Sequence, residues 1–203
     1  MALTIYGSSR SRTMRTLWMA EELGLHYDHV EIEWDDPALK ASGFLHLNPA
    51  GAIPTIDHDG FGLSESLAIN LYLAKTFGGA GPTRLYPDDP RAEAEVWRWT
   101  LFAQGHLEPW VRRDGGRPLH EGVMADFALA EAHSALAQLD SILTKRDWLV
   151  ADRFTVADFN VACVLSPSRT GPLDMSSHQP TIEWLSRCYG RPAALAARAR
   201  FTA

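Results

Sequence analysis

The chain opens on a four-residue alternation, LTIY at Leu3–Tyr6, which stops at Gly7 and predicts a short strand. The following SSRSRTMRTLWMAEELG places Leu17, Ala20 and Leu23 on one side at helical spacing, with Gly24 as the stop. Alternation returns in YDHVEIEW over 27–34, and 37–44 fits a short irregular helix. IPTID and FGLSE flank His58-Asp59-Gly60, and an Asp-Gly pair between two such runs predicts a hairpin. SLAINLYLAKTF at 66–77 is amphipathic at the helical period. Residues 1–78 therefore predict a first domain of order β-α-β-α-β-β-α.

Residues 79–90 are dense in glycine and proline and read as a linker. Beyond it, 91–203 is helical almost throughout and predicts an all-α domain. Asp89-Pro90 supplies an N-cap and first-turn proline for a helix through EAEVWRWTLFA. A second long helix is expected over 121–144, with Leu129, Leu136, Leu139 and Leu143 on its apolar side. Thr155-Val-Ala-Asp158 is a capping box, and Phe154 and Phe159 occupy the two positions of a hydrophobic staple. Short helices over IEWLSRCY and PAALAARAR close the chain, and no internal repeat occurs.

Composition changes this picture mainly by exclusion. A chain of 203 residues with 46% hydrophobic and 22% charged residues is ordinary globular material. A net charge of −6 argues against a phosphate-binding surface, so no nucleic-acid partner is expected. No apolar run approaches the ~18 residues that span a bilayer, so no membrane association is expected. The opening turns polar too early for a signal peptide, which predicts a complete, cytoplasmic chain. Cys163 and Cys188 are far from a CxxC spacing, and His26 and His29 fall at a strand start where one points each way. No metal site is expected, and no phosphate-binding glycine motif is present.

Four segments in this order resemble the glutathione transferase superfamily: LTIYGSSRSRTMRTLWMAEELGL at the start, NPAGAIPTI at 48–56, LSESLAINLYL at 63–73, and FTVADFNVA at 154–162, with GRPAALAA near the end. The resemblance implies an α/β thioredoxin-like N-terminal domain followed by an all-α helical-bundle C-terminal domain, the division that the periodicity reaches by itself. It also implies glutathione as thiol co-substrate and a homodimer.

The motifs have physical reasons. Proline lacks a ladder N–H and is tolerated in strands only at edges or irregular positions. Ile53-Pro54 stands where the family has a cis-proline turn, which leaves the Ile53 N–H and C=O able to pair with the cysteinyl backbone of glutathione like an added strand. Glu65-Ser66 joins a strand to a helix start, where N–H groups and the helix dipole suit a carboxylate. By resemblance, Ser66 holds the γ-glutamyl carboxylate and Glu65 orients its ammonium group. Ala52 stands where many relatives carry Lys, Gln or Arg, while Lys40 lies where some serine-type members contact the glycine carboxylate.

The substrate's own thiol is the nucleophile, so the protein must stabilise a thiolate. Family members use Tyr, Ser or Cys near the end of the first strand, and the candidates here are Tyr6, Ser8, Ser9 and Ser11. Ser11, four residues after Gly7 and four before Arg15, has the serine-type spacing, Ser9 is a further glutathione-binding candidate, and Tyr6 reads as core. A hydrogen bond to a charged acceptor (~1.5–3 kcal/mol) plus a helix N-terminus (~0.3–1) would lower a thiol by about 1.5–3 pKa units. Ser11 as a plain helix cap, and Ser8 or Ser9 as the activating group, are the competing readings.

The site for the electrophilic acceptor is expected from the loop before the first helix and the first long helix after the linker, where Trp99, His106, Trp110 and Arg113 are spaced to share one face and Pro109 introduces a kink. Trp97, about 200° round from Trp99, is expected in the core. The expected activity is conjugation of glutathione to small hydrophobic electrophiles, a detoxification role. The alternatives are a glutathione-dependent isomerase of the maleylacetoacetate type, suggested by SSRS at 8–11, a peroxide reductase, or a binding protein that has lost catalysis.

Overall fold

The computed structural model describes residues 2–79, 84–111, 113–114, 117–118, 121–166 and 173–201. The chain divides into two compact units, Met1–Arg84 with Gly190–Ala203, and Leu85–Tyr189.

The first unit holds a four-stranded sheet of order β2-β1-β3-β4, built from β1 (Leu3–Tyr6), β2 (Asp28–Val30), β3 (Thr55–His58) and β4 (Phe61–Ser64). β2 runs parallel to β1, and β3 and β4 are antiparallel to their neighbours. α1 (Thr13–Glu22), a 3-10 turn (Pro37–Lys40), α2 (Ser42–Leu47) and α3 (Ser66–Phe77) complete the thioredoxin-like order. Leu3, Ile5, Leu17, Met19, Ile56, Ile69 and Leu73 form its core. The predicted hairpin turns at Asp59 and Gly60, with φ of 50° and 87°, the geometry that an Asp-Gly pair favours. At the end of α1, the Gly24 N–H donates to Glu21 O and the Leu25 N–H to Ala20 O, a Schellman stop that only a residue at positive φ closes easily.

Two predicted elements are shorter. α1 begins at Thr13 because Ser8–Arg12 form turns, and the expected strand over 27–34 pairs only at Asp28–Val30. Beyond Val30 the side chains of Glu31 and Glu33 accept hydrogen bonds from Ser9 and Ser8.

The last helix, α9 (Pro192–Phe201), belongs to the first unit, whereas the sequence places it in the second domain. Ala194 and Ala197 are buried on its α1-facing side. Arg191 donates from Nε and Nη2 to the two oxygens of the buried Glu22 at 2.9 and 2.8 Å, and Trp18 Nε1 donates to the same carboxylate at 3.1 Å. Arg200 reaches Glu21 at 2.9 Å, and Tyr27 also donates to that carboxylate; burial, and then this hydrogen bond, raise the Tyr27 pKa. Glu22→Ala is expected to cost about 1–3 kcal/mol through loss of this charge-assisted fork. Amide exchange over 192–201 should accelerate, and unchanged exchange would mean that alanine packing alone holds α9.

The second unit contains α4 (Pro90–Phe102), a π-turn (Ala103–Leu107), α5 (Glu108–Val111), two-residue strands Arg113–Asp114 and Arg117–Pro118, α6 (Val123–Leu143), α7 (Val156–Val164) and α8 (Gln179–Tyr189). Asp89 caps α4 through the Ala92 N–H at 2.9 Å. Residues 85–86 of the expected linker are buried in this unit, where the Val156 N–H donates to Leu85 O, while 80–83 lie outside the described residues. Every residue of α7 is buried. Its start carries the predicted box: the Thr155 N–H donates to Asp158 Oδ2 at 3.0 Å, Thr155 Oγ1 accepts from the Ala157 N–H, and Phe154 meets Phe159 edge-on. Asp158 Oδ1 further accepts from the Leu149 N–H at 2.9 Å and Trp184 Nε1 at 3.0 Å. Asp140 ties α6 to α8 by accepting from the Thr181 N–H, the Thr181 hydroxyl and the His178 ring.

Leu129 is exposed, against expectation: alanines 128, 132 and 135 take the buried stripe of α6 and shift it away from Leu129. No described helix is long and apolar enough to cross a membrane, and among the described residues no group of three His, Cys, Asp or Glu is placed to hold a metal.

Candidate active site

Sheet register assembles the site. Tyr6 pairs with Val30 and Thr55, and Thr55 pairs with Ser64. The end of β1, the start of β3 and the end of β4 therefore coincide, and the Gly7–Ser11 loop, Ile53-Pro54 and Glu65-Ser66 leave one edge of the sheet together. Gly7 sits at their junction with φ of 136°. A Cβ there would overlap Thr13 Oγ1 and lie 3.0 Å from Ile53 Cβ, so the start of α1 and the cis-proline loop close over one backbone atom.

The Ile53-Pro54 bond is cis. Asn48, buried, holds the loop from behind: its Nδ2 donates to Ala52 O at 2.9 Å and Thr55 Oγ1 at 3.0 Å, and its Oδ1 accepts from the Ala50 N–H. Thr55 Oγ1 donates to Ala52 O at 2.8 Å. Ala52 thus contributes a fixed carbonyl while its methyl group is exposed. Lys40, exposed, donates from Nζ to Ala50 O and Gly51 O at 3.2 and 3.1 Å, two of the three N–H groups of its ammonium.

At the third loop, Glu65 is exposed and stands just before α3 with φ of 71°, and its carbonyl accepts from the Ile69 N–H. Ser66, the first helical residue, is buried and accepts from Arg15 Nη1 at 3.4 Å. The guanidinium of Arg15, itself buried, brings positive charge from α1 to the positive end of the α3 dipole, a cradle suited to a carboxylate.

The three serines differ in where their protons go. Ser8 is fully buried and donates to Glu33 Oε1 at 2.9 Å. Ser9 directs both its N–H and its hydroxyl to Glu31, at 3.0 and 3.4 Å. Ser11 is half-buried, donates to Ser8 O at 2.7 Å, and lies 2.8 Å from Thr13 Oγ1, next to the Gly7–Ile53 contact. No acidic residue occupies the first turn of α1 itself. Tyr6 is half-buried with its ring edge-on to Phe44.

The acceptor candidates do not share a face. Trp99 is 1% exposed and belongs to the core with Val96 and Thr100, whereas Trp97 is 49% exposed, the reverse of the sequence expectation. The buried stripe runs through 96, 99, 100 and 103, and only one of the two tryptophans fits it. Between Trp99 and Trp110 the π-turn inserts a residue, with the Glu108 N–H donating to Ala103 O, and rotates the next helical turn by about 100°. Pro109 explains it: proline has no N–H to return to residue 105 and crowds that carbonyl in a regular helix. His106 stacks on Phe102 and is exposed, and Trp110 is half-buried edge-on to Phe127. The Arg113 side chain lies outside the described residues.

Thr13, Asn48 and Thr55 carry weight here that the sequence did not indicate. The only trace was their occurrence inside or beside the two recognisable segments.

Residues 1–75 match the family model for the glutathione S-transferase N-terminal domain, and 107–192 match that for the C-terminal domain. Glutathione S-transferase 3 of Zea mays is 30% identical over 94% of this chain and 90% of its own length. Human elongation factor 1-gamma is 32% identical over 73% of this chain, which spans 34% of that protein. Among solved structures, the theta class glutathione S-transferase of Xanthomonas axonopodis pv. citri with glutathione bound is 25% identical with a TM-score of 0.81, covering 97% of this chain and 96% of its own. With matched domains in the expected order and a relative of this similarity across nearly its full length, the chain belongs to the glutathione transferase superfamily and is a transferase.

Proposed function

We propose that this transferase binds glutathione along the shared edge of its sheet, ionises the thiol beside Ser11, and conjugates it to small hydrophobic electrophiles, as a cytoplasmic homodimer in a detoxification role. The observation that carries the reading is the meeting of the α1 start and Ile53 at Gly7, with the Arg15–Ser66 pair leaving the same end of the sheet. Ser66 and the α3 N-terminus take the γ-glutamyl carboxylate, with Arg15 behind them and Glu65 toward the ammonium group. The Ile53 N–H and C=O pair with the cysteinyl backbone, and the third Lys40 N–H serves the glycine carboxylate. Ser9, engaged with Glu31, supports the loop from its outer side. Such binding leaves the thiol near the α1 start.

To donate to sulfur, the Ser11 proton must leave Ser8 O. A neutral bond worth ~0.5–1.5 kcal/mol is exchanged for a charged one worth ~1.5–3, a net gain of about 1–2 kcal/mol. The helix terminus adds ~0.3–1, so a thiol near ~8.5 falls by about 1–2 units and ionises substantially at neutral pH. This is smaller than the sequence suggested, because the resting hydroxyl is already engaged. The thiol proton passes to solvent; the thiolate attacks the electrophilic carbon and forms the C–S bond, and either the leaving group departs with the bonding pair or the carbanion formed by addition takes a proton from solvent.

The test is calorimetry with glutathione and S-hexylglutathione, followed by turnover with halonitrobenzenes, enones, peroxides and cis-enone acids. Binding of both ligands with turnover on the first two classes is expected. Activity confined to peroxides or isomerisation would reassign the reaction, binding without any turnover would leave a glutathione-binding protein, and no binding would sink the site.

A further inference from the structure

We propose that Thr13 is a positioning residue for this reaction: its hydroxyl and its N–H both donate to Ser11 Oγ and hold that oxygen in place while the Ser11 proton turns to the substrate sulfur. The inference rests on the reading of Ser11 given above and adds a residue to it.

Hydrogen-bond accounting fixes the direction. Ser11 Oγ lies 2.7 Å from Ser8 O, a carbonyl that can only accept, so the single Ser11 proton is directed there. The 2.8 Å contact between Ser11 Oγ and Thr13 Oγ1 is then donated by Thr13. The Thr13 N–H, at 3.1 Å, is a second donor to the same oxygen. Ser11 Oγ therefore accepts from one neighbour twice and donates once.

Thr13 itself is 0% exposed and packed so closely on Gly7 that no Cβ fits between them. Among the described residues, its hydroxyl bonds to Ser11 alone. A buried hydroxyl with one partner is strongly directed, because turning away leaves it unsatisfied. When the Ser11 proton swings toward sulfur, both Thr13 donors remain, fix the oxygen, and polarise its O–H bond as linked hydrogen bonds do. Thr13 does not touch substrate; it acts through Ser11.

The experiment is a pH titration of the bound thiol, read by thiolate absorbance in the glutathione complex, for the parent, Thr13→Val, Thr13→Ser, Ser11→Ala and the Ser11→Ala/Thr13→Val double variant. Affinity for S-hexylglutathione, which has no thiol to ionise, reports intact binding, and Thr13→Ala replaces the valine variant if that fails to fold. Thr13→Val is expected to raise the thiol pKa by about half a unit, Thr13→Ser to restore the parent value, and the double variant to match Ser11→Ala, all with S-hexylglutathione affinity within about threefold of the parent (less than 1 kcal/mol). Parent-like titration of Thr13→Val beside a shifted Ser11→Ala overturns the role of Thr13 and leaves that of Ser11 standing. A parent-like Ser11→Ala overturns both. A Thr13→Val shift that persists undiminished without Ser11, or that comes only with lost S-hexylglutathione affinity and no rescue by serine, makes Thr13 structural and overturns the proposal.

Discussion

Asp158→Ala is expected to lower the thermal midpoint by about 10 °C or more while leaving turnover per folded molecule close to the parent's. The carboxylate accepts from the Leu149 N–H, the Thr155 N–H and hydroxyl, and Trp184 Nε1, so one side chain joins the loop before α7, the start of α7 and the core of α8. Its removal leaves these donors buried without an acceptor, at ~1–3 kcal/mol each and about 3–5 in all once the site relaxes. The midpoint from a calorimetric scan checks the size, and a variant as stable as the parent but inactive would make Asp158 part of the chemistry.

The same carboxyl sets a pH dependence. Burial pushes its pKa up to about 6, against the downward pull of its hydrogen bonds. Between the unfolded value near 4 and about 6, the folded state holds a proton that the unfolded state has lost. This contribution to stability is fully present below about pH 4 and is lost as pH rises through about 6, about 3 kcal/mol over the window. The protonated oxygen has a ready acceptor in Thr155 Oγ1 at 3.2 Å. Unfolding free energies of the parent and Asp158→Ala should therefore be farthest apart near pH 4 and converge toward pH 6. Parallel curves would place the titration elsewhere.

What the sequence showed plainly was whatever is enforced within a few residues. The Gly24 stop, the Asp59-Gly60 turn, the Asp89 cap and the Thr155–Asp158 box all form between near neighbours, and their residue types announce them. What it hid depends on distant partners. β2 stops early because Glu31 and Glu33 bond to serines more than twenty residues away. PAALAARAR has no apolar stripe to reveal where it packs, and its place is set by Arg191 and Arg200 meeting Glu22 and Glu21 at the other end of the chain. The shared face of Trp99, His106 and Trp110 presumed an unbroken helix, and the backbone answers Pro109 with a π-turn. The site divides the same way. Ile53-Pro54 and Glu65-Ser66 are legible as segments, but the donors that hold them, Asn48, Thr55 and Arg15, are ordinary residues until the fold gives their hydrogen bonds a direction.

Gly7→Ala should be the most damaging single methyl in the site, and Gly60→Ala is its control. Both glycines have positive φ, 136° and 87°, so each alanine bears a backbone cost of roughly 1–2 kcal/mol. At Gly60 nothing lies within 4 Å of the added carbon, and the cost ends there. At Gly7 the carbon overlaps Thr13 Oγ1, a fully buried atom on a β-branched side chain at the helix start, and presses on Ile53 Cβ at 3.0 Å. A β-branched side chain has few rotamers to retreat into, so the start of α1 and the cis-proline loop must move apart. That separates the Ser11 oxygen from the Ile53 backbone, the two groups that the proposed binding mode brings to one cysteinyl residue, one at its thiol and one at its amide. The expected result is a loss of glutathione affinity of tenfold or more, at least about 1.4 kcal/mol, with a bound thiol that titrates closer to its solution value in whatever complex remains. Gly60→Ala should bind as the parent does despite a lowered midpoint. Equal affinity for the two variants would show that the Gly7 junction does not set the spacing between the thiol and the backbone contacts.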